Sequence, residues 1–226
     1  MKRQIVVIGL GRFGVSVAET LSAAGHDVLA IDINEKSVQS VIPKITHAIQ
    51  ADATNETVLQ EIGVGNFEIA IVAIGSAIES SVLTTILLKK LGVPWVIARA
   101  NSDLHKTILE RIGADVVVSP EQEMGRRLAH GATLMGVSSY MDVISNYGIV
   151  KLLTPPELIG KSLSDIGFGP KGKLEVAVLL IQRGKEIIVN PGQSEIIKPE
   201  DTLILSGNDD NLEKLLVGLE KNKPSE

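Results

Sequence analysis

The chain has 226 residues, of which 44% are hydrophobic and 3% aromatic, and its formal net charge is −5 at pH 7. This length suits one large domain, or a medium and a small domain, with cores built from aliphatic side chains. The negative charge argues against general nucleic-acid binding, because no basic surface would follow the phosphates. The absence of cysteine excludes disulfides, thiolate metal sites and cysteine nucleophiles.

No apolar run approaches the length of about 20 residues that spans a bilayer. The N-terminus, Met1–Gln4, leads directly into a short strand without a small-residue cleavage site, so we predict no signal peptide. If the protein serves a membrane process, we expect it to act from the aqueous side.

Residues 1 to about 136 alternate short β-branched runs with amphipathic segments, such as the one that places Phe13, Val17 and Leu21 on one helix face. The runs are uniformly apolar, which is typical of strands buried on both faces. They predict an α/β fold with a doubly wound, Rossmann-like parallel sheet of six strands. The predicted strands are Ile5–Ile8, Val28–Ile31, Ala48–Ala51, Ile69–Ile74, Trp95–Ala98 and Val116–Val118.

A crossover helix is predicted to start after Ser119, because Ser119 can cap it, Pro120 suits the first helical position and Gln122 can complete a capping box. Gly136–Ser139 then predicts a hinge. A small α+β domain is expected at 142–220, and the polar residues 221–226 predict a disordered tail. Its predicted elements are strands at Ile149–Leu153, Glu175–Gln182, Glu186–Val189 and Thr202–Ser206, a short helix at Gly160–Ile166 and a helix containing Leu212 and Leu219.

The most informative motif is the glycine turn that follows the first strand. Gly9 permits a tight turn, Gly11 lets the backbone approach a phosphate, and Gly14 lets the helix pack close to the strand. Because a strand precedes it, a helix follows it and Asp32 ends the second strand, the turn predicts a nucleotide site. A glycine turn that binds nothing is the alternative.

Two charged residues near this turn have more than one interpretation. Asp32 can accept both ribose hydroxyls and would repel a 2′-phosphate, which disfavours NADP, or it can cap the helix that starts near Asn34. Arg12 can be solvated, can bind a phosphate of its own nucleotide, or can reach a phosphate held by a neighbouring subunit. A cation at a helix start opposes the helix dipole, which favours a phosphate role for Arg12.

The remaining candidates lie at other strand ends. Asp52 and Thr54 follow the third strand near the expected adenine position, or they cap a helix; Arg99 can reach a phosphate; Glu121 at a helix N-terminus is structural by itself. No histidine pair has metal-ligand spacing, and no nucleophile elbow or acid–base set is evident. A dehydrogenase needs such a set to move a substrate proton, so its absence argues against an enzyme.

Several segments together closely resemble the cytosolic regulatory subunits of Trk/Ktr-type bacterial potassium transporters, which carry RCK (KTN) N-terminal and RCK C-terminal domains. The resemblance covers nearly the whole chain. Its N-terminal motifs are Gly9-Leu10-Gly11-Arg12-Phe13-Gly14, Asp32-Ile33-Asn34, Asp52-Ala53-Thr54, Ala73-Ile74-Gly75 and Ser119-Pro120-Glu121. Its C-terminal motifs are Gly160-Lys161-Ser162-Leu163, Val189-Asn190-Pro191 and Pro199-Glu200-Asp201-Thr202-Leu203.

The resemblance implies a non-enzymatic, nucleotide-sensing subunit that gates a membrane-embedded, potassium-conducting partner from the cytoplasmic face. ATP or ADP, or alternatively NAD(H), would bind the N-terminal cleft. The subunits would form homodimers that assemble into an octameric ring, whose shape would change with the bound nucleotide. Some relatives bind cyclic di-AMP in the C-terminal domain. A small NAD-dependent dehydrogenase, or a sensor that docks on another transporter or enzyme, is the alternative.

The same resemblance implies roles for individual residues. Arg12 would contact a terminal phosphate, across the dimer or within one subunit. Asp32 and Asn34 would hold the ribose, and Asp52 would lie near the adenine. Arg99 would touch phosphate, and Glu121 would help to place a divalent cation, Mg²⁺ or Ca²⁺, between subunits.

Overall fold

The structure is a computed structural model that describes residues 2–133, 137–144, 146–169 and 172–221. The chain divides into two compact units, Met1–Glu121 and Gln122–Glu226. Among the described residues, no helix combines the length and the apolar character needed to span a bilayer.

The first unit contains a six-stranded parallel sheet, in the order β3-β2-β1-β4-β5-β6, which confirms the predicted doubly wound fold. The strands are β1 (Gln4–Ile8), β2 (Asp27–Asp32), β3 (His47–Gln50), β4 (Ile69–Val72), β5 (Trp95–Arg99) and β6 (Val116–Val118). The helices are α1 (Arg12–Ala23), α2 (Glu35–Val41), α3 (Glu56–Ile62), α4 (Ile78–Lys90) and α5 (Asp103–Arg111), and α6 (Pro120–Thr133) begins at the end of this unit.

Both faces of the sheet are buried, which explains the uniformly apolar strands. Val6 and Ile8 of β1 belong to a core that includes Leu88 of α4. The alternate residues of β1 point the other way and pack with Ala18 of α1. Since successive side chains of a strand point to opposite faces, only a strand covered on both sides is apolar throughout.

Helix α4 forms where the apolar pattern predicts a helix, but a different face of it is buried. The four-residue spacing of Ile78, Val82 and Ile86 predicts that these three share the packing face. In the structure Ile78 and Ile86 are about 40% exposed, and so is Leu83. The buried face instead carries hydroxyl side chains, including Thr84, whose Oγ1 donates a hydrogen bond to the Ala53 carbonyl at 3.2 Å. The helix is apolar or small on nearly every side, so periodicity alone cannot select the buried face.

The second unit contains a five-stranded antiparallel sheet, in the order β10-β9-β11-β8-β7. Its strands are β7 (Val137–Ile144), β8 (Tyr147–Leu153), β9 (Val176–Arg183), β10 (Glu186–Val189) and β11 (Thr202–Asn208), and its helices are α7 (Leu163–Ile166) and α8 (Asp209–Lys221). The predicted small α+β domain is therefore confirmed in type. Its apolar core includes Tyr140, Val150, Leu205 and Leu212.

Two predicted element boundaries differ from the structure, and a third prediction falls almost wholly outside the described residues. The hinge predicted at Gly136–Ser139 is wrong for residues 137–139, which begin β7 and pair with β8, while Gly136 lies outside the described residues. The short helix predicted from Gly160 starts only at Leu163, because Ser162 forms a capping box with Asp165. The predicted tail lies outside the described residues apart from Lys221, which ends α8.

Candidate functional site

A cleft of about 620 Å³ opens at the carboxyl ends of the parallel strands in the first unit. Strand β1 lies between β2 and β4, and the chain crosses from β3 to β4 to reach the other side of β1. This change of direction creates a crevice above the strand ends, where open α/β sheets bind their ligands. The cleft therefore lies where the fold favours a ligand.

Most of the predicted site residues line this cleft. These are Gly9, Gly11, Asp32, Ile33, Asn34, Asp52, Ala53, Thr54, Ala73, Ile74, Gly75 and Arg99. The described lining does not include Arg12, Phe13, Gly14 or Glu121. The sequence analysis missed Ile8, Leu10, Ile31, Ser37, Ala51, Ser76, Ala77 and Ser80. Ser76 to Ser80 could have been found, because the loop after β4 ends at the same sheet edge as the glycine turn.

Two of the three motif glycines are required by the packing of the protein itself. Gly9 has φ +95°, and a Cβ there would lie 3.0 Å from the backbone nitrogen of Ile74. A Cβ on Gly14 would overlap the carbonyl oxygen of Gly9. Gly11 differs, because its φ is −71° and a Cβ there would meet no atom within 4 Å. The fold does not need glycine at position 11, so the space beside it is available to a ligand.

Two helices begin at this cleft without side-chain caps. Gly11 is the N-cap residue of α1 and Ala77 that of α4, and neither makes a side-chain cap hydrogen bond. Both residues line the cleft. The first N–H groups of a helix have no intrahelical partner and carry a partial positive charge. The cleft thus presents two favourable ends to an anionic ligand.

Asp32 holds the glycine turn in place and also faces the cleft. Its carboxylate oxygens accept one backbone N–H each, from Leu10 at 2.5 Å and from Asn34 at 2.7 Å. The cap of α2 is Asn34, which accepts hydrogen bonds from the backbone of Lys36 and Ser37. The alternative in which Asp32 caps this helix is therefore wrong. Each Asp32 oxygen keeps acceptor capacity for a ligand hydroxyl.

Asp52 forms a local turn rather than a helix cap. One of its oxygens accepts from the Thr54 backbone at 2.9 Å and from the Thr54 hydroxyl at 2.7 Å. These hydrogen bonds lower the pKa of Asp52 and outweigh the small opposing effect of burial. Helix α3 is capped by Asn55, which accepts from Thr57 and Val58, so the capping alternatives for Asp52 and Thr54 are wrong.

Arg99 lies at the wall of the cleft and is held from several sides. Its guanidinium forms an ion pair with Glu121 and lies 5.8 Å from the centre of the Phe13 ring. It also occupies the space that a Cβ of Gly75 would need. Phe13 and Glu121 thus contact Arg99 in the structure, although neither lines the cleft.

Arg12 is exposed at the start of α1, outside the cleft lining. It lines a shallower groove together with Glu19 and Lys44, which form an ion pair at 2.8 Å. The structure therefore does not bring Arg12 together with Asp32 and Arg99. Its predicted phosphate contact stays a prediction.

Residues 5–120 match the TrkA-N domain and residues 149–217 match the TrkA-C domain. The chain is also 40% identical over 208 residues to the Ktr system potassium uptake protein C of Bacillus subtilis (strain 168), a match that covers 92% of this chain and 93% of that protein. The chain belongs to the Ktr family of potassium uptake proteins. This confirms the predicted family, which is not a family of enzymes.

Solved structures share the fold of this Ktr family member. The GsuK channel bound to NAD matches with a TM-score of 0.65 and 16% identity, over 100% of this chain and 41% of the channel chain. The Kef C-terminal domain of Shewanella denitrificans in its AMP-bound form matches with a TM-score of 0.51 and 23% identity, over 57% of this chain and 79% of that chain. At these identities the likeness establishes the fold alone.

The described residues of this Ktr family member do not by themselves complete a metal site. They contain no group of three or more histidines and carboxylates placed to hold an ion. Glu121 supplies one carboxylate, and Arg99 already contacts it. A divalent cation at Glu121 would therefore need further oxygen ligands from a nucleotide or from another subunit.

Proposed function

We propose that this Ktr family protein is a nucleotide-sensing regulatory subunit of a potassium uptake system. The observation that carries the proposal is the cleft at two uncapped helix N-termini, with open space beside Gly11. Such a site suits a phosphorylated ligand. The absence of an acid–base set in the sequence favours a nucleotide that is sensed over one that reacts.

The bound nucleotide would lie across the strand ends. Its phosphates would approach Gly11 and the start of α1, its ribose hydroxyls would bind the free acceptor sites of Asp32, and its base would lie toward Asp52. The far end of the ligand would reach the loop at Gly75 and the side chain of Arg99. ATP or ADP is the primary candidate and NAD(H) the second; the NAD and AMP in similarly folded proteins support a nucleotide of this kind.

The first experiment is a thermal-shift titration with ATP, ADP, NAD⁺, NADH and cyclic di-AMP. A ligand that binds the native state raises the melting temperature, by an amount that grows with its concentration. We expect ATP and ADP, or NAD⁺ and NADH, to stabilise the protein. If none of these four raises the melting temperature at millimolar concentration, the proposed function is wrong. Binding of cyclic di-AMP by the second unit rests on the family resemblance alone and is tested in the same titration.

Sensing requires a different affinity for two nucleotides, since a ligand shifts an equilibrium only through differential binding. The terminal phosphate of ATP offers this difference to the exposed cation Arg12. We expect Arg12→Ala to weaken ATP binding much more than ADP binding in calorimetry. Lys44→Ala is the matched control, because Lys44 lies in the same groove but is paired with Glu19. Equal losses for ATP and ADP in Arg12→Ala would contradict the phosphate-sensing role.

The proposal includes assembly into homodimers and an octameric ring at the cytoplasmic face of a membrane-embedded, potassium-conducting subunit. The exposed apolar side chains Ile78, Leu83 and Ile86 on α4 support association, because water-facing apolar groups on one helix favour a partner surface. Native mass measurement with and without nucleotide tests this step. A monomer under every condition would contradict the ring, while leaving nucleotide binding to be judged by the titration.

A further inference from the structure

His105 is a buried polar residue that the proposed site does not use. It lies in the first turn of α5 and is 1% exposed. Its Nε2 is buried and has no hydrogen-bond partner among the described residues, and burial lowers the pKa of His105. An unpaired buried nitrogen costs stability, so packing alone would favour an apolar side chain here.

The other ring nitrogen of His105 faces Asn101. His105 Nδ1 lies 3.2 Å from Asn101 Oδ1, and the Asn101 backbone N–H approaches the same nitrogen at 3.4 Å. Asn101 Nδ2 donates a 2.8 Å hydrogen bond to the Gly75 carbonyl, which fixes the orientation of the amide and turns Oδ1 toward the ring. An amide oxygen only accepts, so the ring donates to Oδ1 when its proton is on Nδ1, whereas with the proton on Nε2 the same Nδ1 accepts from the Asn101 N–H. Both tautomers join the ring to Asn101.

The Gly75 carbonyl belongs to the wall of the cleft. Gly75 lines the cleft, and its bare Cα lies against the Arg99 guanidinium, which also lines it. The geometry points to His105 and Asn101 as positioning residues that hold Gly75 at this wall: His105 orients the Asn101 amide, and the amide fixes the Gly75 carbonyl. This inference rests on the proposed nucleotide site. It adds to that site the two residues that fix the position of Gly75.

The position of Gly75 in the sheet determines which part of a ligand it faces. Gly75 follows β4, whereas Asp32 ends β2, and β1 lies between these two strands. Adjacent strands are about 4.8 Å apart, so the two strand ends are separated by about 10 Å. A nucleotide whose ribose binds Asp32 reaches Gly75 only with the groups beyond its first phosphate. The two positioning residues should therefore matter for ATP or NAD⁺ but not for AMP.

Calorimetry with AMP, ATP and NAD⁺ on wild type and Asn101→Ala tests this inference. The Asn101 side chain is exposed, so its removal should leave the fold intact. We expect Asn101→Ala to lower the affinity for ATP or NAD⁺, whichever the wild type binds, about tenfold, because the hydrogen bond that holds Gly75 is lost. The affinity for AMP should stay within about twofold of the wild-type value. Asn211→Ala is the matched control, because it removes an asparagine hydrogen bond in the second unit and should change neither affinity.

A double-mutant cycle tests whether His105 acts through Asn101. We expect His105→Leu to lower the affinity for ATP or NAD⁺ as much as Asn101→Ala does. The double variant should lose no further affinity, since each substitution breaks the same chain of contacts. Equal losses for AMP and for ATP or NAD⁺, or no loss for either, in Asn101→Ala would overturn the positioning role while the proposed site stands. If the wild type binds none of ATP, ADP, NAD⁺ and NADH, the proposed function itself fails.

Discussion

The two units of the chain use their most constrained carboxylates in opposite ways. Asp201 in the second unit is fully buried and accepts two hydrogen bonds from Arg183 and one from the Lys198 backbone. Asp32 in the first unit lies at an open cleft, and each of its oxygens accepts one backbone N–H. An ionised carboxylate offers about four acceptor sites, so Asp32 keeps more capacity for a ligand.

The difference separates a structural charge from one that is available for binding. Arg183 also contacts Glu195 and the carbonyl of Ile196, so it joins three separate segments of the second unit. In the first unit, the polar groups at the strand ends instead surround a space that the protein leaves open. A network that satisfies its own members stabilises the fold, whereas an incomplete one at a cleft suits a ligand. Variants in each unit can test this distinction.

The largest effect is expected for Arg183→Met. This change leaves the Asp201 carboxylate buried without its main partner, and breaking a buried pair in this way costs about 3 kcal/mol or more. The second unit should lose this stability while nucleotide binding by the first unit persists. The chain offers separate probes, because its single tryptophan, Trp95, lies in the first unit and its two tyrosines, Tyr140 and Tyr147, lie in the second.

Urea unfolding followed by tryptophan fluorescence and by tyrosine absorbance distinguishes the two transitions. Lys185→Met is the control, since Lys185 is an exposed cation in the same hairpin and should change the free energy of unfolding by less than about 0.5 kcal/mol. If Arg183→Met and Lys185→Met are equally mild, the Asp201 pair does not hold the second unit together.

The acid dependence of the same variant sharpens the test. Burial alone raises the pKa of Asp201, but hydrogen bonds from Arg183 and Lys198 outweigh it and hold the pKa below its ordinary value. In the wild type this stabilisation is complete above the unfolded-state pKa, about 3.9, and is lost as the pH falls through the lower folded pKa. Without Arg183 burial dominates and the folded pKa rises. The deficit of Arg183→Met should therefore shrink between pH 7 and pH 4, and a constant deficit would contradict this explanation.

The next effect concerns Gly9 and Gly11, which the glycine motif requires equally but which have different surroundings in the structure. Gly11→Val should fold normally, because its φ is ordinary and the space is open, yet the new side chain would fill the expected phosphate position. We expect nucleotide affinity to fall about 100-fold, as a blocked phosphate contact would give. Gly192→Val is the control, since Gly192 is equally open but lies in the second unit.

Gly9→Ala should behave differently from Gly11→Val. Its φ of +95° and the 3.0 Å approach to the Ile74 backbone make a side chain unfavourable in the folded state itself. Thermal unfolding followed at Trp95 should therefore show a lower melting temperature for Gly9→Ala and an unchanged one for Gly11→Val. The opposite pattern would mean that position 11, not position 9, is structural.

The sequence predicted the parts of the fold that depend on local pattern. The six apolar runs became the six strands of the first sheet, and the ends of these strands contributed most of the predicted cleft lining. Strand ends are predictable because parallel strands bring their carboxyl termini to one edge. The helix caps were less predictable. Asp32 and Asp52 were plausible caps, but Asn34 and Asn55 cap the helices.

Features that depend on tertiary contacts could not be predicted in the same way. The buried face of α4 is decided by close packing of Thr84 and its neighbours, which hydrophobic periodicity does not register. Strand β7 was missed because Gly136 and two serines suggested a hinge, whereas pairing with β8 determines the structure there. The contacts from His105 to Asn101 and from Asn101 to Gly75 join two loops that are far apart in sequence.

A smaller effect should separate the two aspartates of the cleft. Asp32→Asn is isosteric but removes the charge and replaces one of the two oxygens that accept the Leu10 and Asn34 N–H groups with an NH₂ group. We therefore expect nucleotide affinity to fall about tenfold. Asp52→Asn should change affinity by less than about twofold, because the Thr54 contacts converge on one oxygen that an amide can replace. Calorimetry with the preferred nucleotide measures both, and NADP⁺ adds a check, since loss of the Asp32 charge should reduce the rejection of a 2′-phosphate. Equal effects of the two substitutions would mean that the ribose does not bind at Asp32.

The smallest effect concerns the turn that brings Asp201 to Arg183. Glu200 directly precedes Asp201 and has φ +65°, a left-handed conformation that asparagine adopts more readily than glutamate. Glu200→Asn should therefore raise the free energy of unfolding of the second unit by a few tenths to about 1 kcal/mol, whereas Glu200→Val should lower it. Glu157, which is partly buried and has no positive φ, provides the control Glu157→Asn. A loss of stability in Glu200→Asn would mean that the glutamate itself, and not only the turn geometry, supports the buried Asp201 network.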